Sequence, residues 1–576
     1  MISSNVHYEV LGQRGAAWTI LAVVDDQETA VRKAQEARVS FRSVKVMRER
    51  FDKDSNTYRS GQIFFSGAES KPSRYNDEEM PSICWRVEDF YSYEGRRAIN
   101  RLLRQELLEW GLTATELLHS PEMVQRLQDN GTSLQRAVQQ TAIAQVKETG
   151  QGVQERIKQI YELIEKGVAA LRRDSAAFPG LNEGGLDDLI VQIAEKESRS
   201  YLLHGALAGY LAGARDFNDK MSRMLGMVRA DHPPWVHEVA DTFVAELLSI
   251  GKVLHVLIGN TSSLKHEIEG AAFLSIGEVS AQDERFTPDA RMVNRLIAAG
   301  KLPCTQQALT RYMIEAIKGK SRLVEGDILA ESKAVGELAS VLKRPDGEWI
   351  GKLPMVEAIG RRCARWLHPE AISELLAGAE DPKVKFDRLL KLEANVFGNQ
   401  NKRKLGEFLM PIVISPQGEM YLTTEGGTVT QKLRRLKVMQ DAVIGSGLPD
   451  MHRQKLAIKL DELACKVIRS TQLIERVTQG EGTVVEKCFS LLRMVVDGYF
   501  TRGKADEMAR TAIRRSLAIP DFVSGFLGAA RTKEEKMMKL DALSRLLTQA
   551  GIETPPADAP APASPARSDD PSAASA

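Results

Sequence analysis

From His7 to Phe65 the apolar positions alternate with polar ones or run in short β-branched blocks. Beyond residue 85 they recur every three or four residues. The first pattern has the period of strands and the second that of helices. "HYEVL" and "AWTILAVV" predict two strands joined through the turn "GQRG". A helix follows in "ETAVRKAQEARV", with Ala30, Val31, Ala34 and Ala37 on one face, Asp25 as its cap and Glu28 completing a capping box. "SVKVMRERF" and "GQIFFSG" predict two further strands. The order is ββαββ, a small α/β unit over residues 1–67.

The polar, turn-rich segment 68–84 reads as a linker. After it, Ile99, Leu102, Leu103, Leu107 and Trp110 form one helical stripe, and Ser120 with Pro121 marks another helix start. Val153, Ile157, Ile160, Ile164, Val168 and Leu171 make a short heptad-like seam, suited to packing within a bundle. "RPDGEW", Arg344 to Trp349, is a turn that divides a helical domain over 85–345 from a second over 346–553. Within the second, apolar runs on either side of Pro416, Gln417 and Gly418 predict an inserted β-hairpin near 409–424. No 34- or 40-residue repeat recurs, so the expected class is mainly α, with irregular multi-helix bundles. The segment 554–576 is rich in Pro, Ala and Ser and is expected to be a disordered tail.

Charge and cysteine content narrow the setting. Lys plus Arg number 78 against 77 for Asp plus Glu, so any charged partner has to be met by a local patch. The five cysteines contain no CxxC pair, which fits a reducing cytoplasm and gives no disulfide framework. "MISSNVHYEVLGQRG" lacks the basic start and apolar core of a signal peptide. The most apolar windows, Tyr201 to Ala214 and Phe243 to Gly259, read as buried helices: the first is too short to span a membrane, and the second carries Glu246, Lys252 and His255. No integral membrane span is expected. Gly205, Gly209 and Gly213 repeat a small-residue spacing expected to let two helices pack closely.

Candidate chemistry is sparse. Arg48 to Phe65 opens like a calcium loop, with Asp52, Asp54 and Asn56 at alternate positions. Thr57 and Ile63 occupy the places where such a loop needs Gly and Glu, so a hairpin turn is the better reading. His237 and Asp241 lie one helical turn apart and could offer nitrogen and oxygen to a metal, but no third ligand is near in sequence. His255 in "HVLIG" is loosely similar to the "HxxKG" helix of histidine phosphotransfer domains, with Ile258 in place of the lysine and Gly259 matching. Two basic clusters, Lys402, Arg403, Lys404 and Lys432, Arg434, Arg435, Lys437, flank the expected hairpin and offer a face for nucleic acid. No nucleophile, metal or phosphate-loop motif appears, and no cofactor is implied.

These readings favour a cytoplasmic, non-enzymatic scaffold or regulatory protein that binds protein partners, with the ββαββ unit as an accessory module. The alternatives are a nucleic-acid binder using the basic clusters, and a phosphorelay or other enzyme component whose site is assembled from distant residues. Nothing in the pattern sets an oligomeric state.

Overall fold

The computed structural model describes residues 6–552 except 15–16, 42, 53–56, 68–80, 182–184, 260, 281–282, 426 and 529. The expected tail over 554–576 and most of the expected linker over 68–84 lie outside the described residues. Contacts divide the chain into two compact units, Met1–Ile83 with Gln139–Ile157, and Cys84–Val138 with Lys158–Ala576.

The first unit holds the ββαββ order: β1 (Val6–Arg14), β2 (Ala17–Val24), α1 (Gln27–Ala37), β3 (Ser43–Asp52) and β4 (Thr57–Gly67). The sheet is antiparallel throughout, in the order β2-β1-β3-β4. Val10, Val44 and Val46 point to one face and are sealed by Ala30 and Ala34 of α1. Small side chains on α1 let it lie close against the strands. Its cap is Asp26, not Asp25: the Asp26 carboxylate accepts from the Thr29 amide at 2.8 Å. Asp52 pairs with Thr57, so the stretch that opens like a calcium loop is the end of a hairpin, with Asp54 and Asn56 outside the described residues. The same unit ties Gln145 to the carbonyls of Pro81 and Ser82, each at 3.0 Å, and holds Gln145 in turn through Arg156 at 2.9 Å.

The second unit is helical. Its largest core runs in sequence from Leu181 to Ala509, and two smaller ones gather Leu103 to Leu171 and Cys488 to Ile552. The Arg344–Trp349 turn forms as expected, with the Arg344 amide donating to the Glu348 carbonyl at 2.8 Å. The seam helix spans Val153–Asp174, and Val168 and Leu171 enter the second core. The first apolar window lies in the helix Arg199–Ala212 and the second runs from the helix Pro234–Leu248 into the helix Gly251–Leu257; both contribute to the largest core, and among the described residues no helix is long and apolar enough to cross a membrane.

Two expectations are corrected. Residues 409–424 are not a hairpin but the end of the helix Asn399–Ile414 and the helix Pro416–Thr424. Leu405, Leu409 and Val413 are buried at intervals of four, a helical period that the β-branched "IVI" run obscures. Ser415 caps the second helix by accepting from the Gly418 amide at 3.1 Å, and Pro416 takes the first helical position. Of the three spaced glycines only Gly205 makes a close approach. A Cβ on Gly205 would lie 2.4 Å from the Phe178 ring, whereas one on Gly209 would meet nothing within 4 Å.

Candidate functional site

Four buried groups shifted from ordinary titration cluster in the second unit, where the helices Tyr93–Leu102, Ala114–Leu118, Arg199–Ala212 and Pro234–Leu248 meet. Buried Arg96 lies 3.4 Å from the Glu246 carboxylate and 2.9 Å from His204 Nε2. Glu246 also accepts the Thr115 hydroxyl at 2.6 Å and the Thr115 amide at 3.0 Å. Burial pulls the guanidinium down and pushes the carboxyl up, while the opposite charge of each partner opposes both shifts.

Two histidines complete the cluster. His204 Nδ1 lies 2.7 Å from the Ser200 carbonyl, so it carries the proton and leaves Nε2 to accept from Arg96. His119 Nδ1 donates likewise to the Thr115 carbonyl at 2.7 Å. Its Nε2 has no hydrogen-bond partner and sits among the rings of Tyr91, Phe178, Tyr201 and His204. Burial, reinforced by the Arg96 charge, pushes His119 down to about 4 and His204 well below its ordinary value. A second buried pair, Lys220 and Glu116, lies alongside, with Glu116 closing a capping box on Thr113. Each charge here is answered inside the fold. The arrangement joins helices.

The residues singled out in the sequence are also engaged. Asp241 accepts from the amides of Cys304 at 2.6 Å and Thr305 at 2.8 Å, and so caps the helix Pro303–Lys318, whose own cap position, Leu302, has no side chain to do so. Burial pushes its carboxyl up, and those bonds hold it down. His237 is buried with Nε2 3.2 Å from the Lys301 ammonium. No group of three or more metal-ligating side chains occurs among the described residues. Partly exposed His255 lies 3.5 Å from the Glu267 carboxylate, whose charge would repel a phosphoryl group.

Lys402 and Lys432, one from each basic cluster, lie at opposite ends of one helix. Lys402 pairs with Glu393 at 2.7 Å and abuts Gly447, beyond the last turn of the helix Val429–Ile444. Lys432 bonds the Thr424 carbonyl at 2.6 Å, at that helix's first turn. A helix of 16 residues separates its ends by about 24 Å. Arg403 and Lys437 face Glu407 and Asp441, and Arg435 donates to the Glu425 carbonyl.

The most prominent unanswered feature is apolar. The helix Lys533–Gln549 starts with a Thr532–Glu535 capping box and buries Leu543 and Leu547 in the third core. On the sides turned away from that core, Met537 is 65% and Met538 74% exposed, and Leu540 is 42% exposed. No family model, curated protein or solved structure matches this chain.

Proposed function

We propose that the chain is a cytoplasmic, non-enzymatic interaction protein, a helical scaffold or regulatory component whose last helix docks a protein partner. The observation that carries this reading is the group of exposed apolar side chains Met537, Met538 and Leu540 on Lys533–Gln549, set outside the core that anchors the helix. Exposed methionines are suited to such a role because their unbranched, polarisable side chains adapt to a partner's surface. Ile20 and Val23 add a second exposed apolar patch on the sheet of the first unit, consistent with an accessory recognition role. All five cysteines are free thiols, which supports a reducing compartment.

A photo-crosslinking residue at position 538 tests the reading in intact source cells. A discrete protein adduct is expected there and not at Lys158, an exposed polar control. Equal labelling at both positions, or none at 538, overturns it.

A further inference from the structure

The helices Pro303–Lys318, Ile328–Leu342 and Lys352–Arg365 bring their ends together around a cavity of about 140 Å³. By the same measure one water needs roughly 10–15 Å³, so the space admits a group of several heavy atoms. Four cations line it, Lys320, Arg322, Arg362 and Arg365, against two carboxylates, Asp327 and Glu331.

The carboxylates are committed. Glu331 holds buried Arg362 through Nε at 3.0 Å and Nη2 at 2.5 Å and accepts the Leu323 amide at 3.0 Å. Asp327 caps its own helix through the Ala330 amide at 2.8 Å. The remaining cations meet only neutral groups or none. Arg365 donates to the carbonyls of Lys318 and Gly319, and Arg322 to that of Gly326, so neutral groups fix both guanidiniums in place. Lys320 is exposed, with no hydrogen bond or ion pair to the protein. Burial and the neighbouring Arg362 charge pull Arg365 below its ordinary value, with the Glu331 carboxylate opposing them. The N-terminus of Ile328–Leu342 adds a positive helix end, while the carbonyls closing Pro303–Lys318 are taken up by Arg362 and Arg365.

We propose that this cavity binds a phosphoryl group. Two positive charges in excess match a phosphate dianion, and anchored guanidiniums supply the paired donors that such oxygens accept. The pocket stands independently of the interaction surface on the last helix.

The test uses the full chain, titrated with inorganic phosphate, with phenyl phosphate and with acetate, and followed by calorimetry and tryptophan fluorescence. Trp366 lines the cavity and reports occupancy, with Trp366→Phe as the spectral control. Saturable binding of phosphate identifies the free ion as sufficient; binding of phenyl phosphate alone identifies a phosphate ester as the ligand. Lys320→Ala and Arg322→Ala remove exposed side chains outside the cores, and each is expected to weaken binding about tenfold or more. The proposal is overturned if neither phosphate compound binds at 10 mM, if acetate binds as well as they do, or if both variants bind unchanged.

Discussion

Asp241 spends its charge on two amides more than sixty residues away in sequence. Asp241→Ala leaves the amides of Cys304 and Thr305 without an acceptor in a buried setting, which should cost about 1–3 kcal/mol and appear as a lower urea midpoint with an unchanged slope. Titration supplies a second check. Burial keeps His119 and His204 neutral in the folded chain, below the ordinary value near 6.5. As pH falls the unfolded chain binds those protons first. Stability is therefore complete above about 6.5 and declines below it, for His119 until about 4, with a slope of up to about 1.4 kcal/mol per pH unit for each histidine. Glu246, which burial pushes up, acts in the opposite sense, but His204 keeps its share of the loss, so His119→Gln should flatten it between pH 7 and 5 only in part. An unchanged slope would rule out His119 as its source. Of these residues the sequence exposed Glu246, a carboxylate in an otherwise apolar window, which signals a buried partner. Arg96 was hidden, because "EGRRAINRL" offers Arg97 and Arg101 on equal terms and only the tertiary contact selects one.

Elements were more legible than sites, since periodicity is local. The strand order of the first unit and the helical periods of the second are both present in the chain as written. The segment 409–424 misled because β-branched residues and a Pro-Gln-Gly run have two uses, and packing at intervals of four chose the helical one. Caps shifted by a residue, as Asp25 and Asp26 show, because adjacent aspartates carry the same side chain and only backbone geometry separates them. The helix Arg199–Ala212 permits a paired test with opposite signs. Gly205→Ala pushes a methyl into the Phe178 ring and should destabilise by about 1–3 kcal/mol. Gly209→Ala enters open space and should stabilise by up to about 1 kcal/mol. Thermal shifts of the same sign for both would contradict the packing of this helix.

At the scale of the whole chain, core and surface separate on the last helix. Replacing Met537, Met538 and Leu540 together by Gln should change stability by less than about 0.5 kcal/mol per site while abolishing partner capture. Leu547→Ala, two turns beyond Leu540 and on the packed face, should cost about 2–5 kcal/mol. A loss of fold with the triple variant would show that these side chains are packed. Partner identity left no trace in the pattern, because an exposed apolar patch records that something is covered and not by what. The junction at Arg96 also sets an order of events during synthesis. Thr115 and Glu246 are 131 residues apart, so at about 5–20 residues per second the ribosome takes roughly 7–26 s to deliver the carboxylate after the threonine has been made. Until then Arg96 has no anion to accompany it out of water, and the helices near the start of the second unit wait, solvated and open to chaperones, for a residue not yet translated.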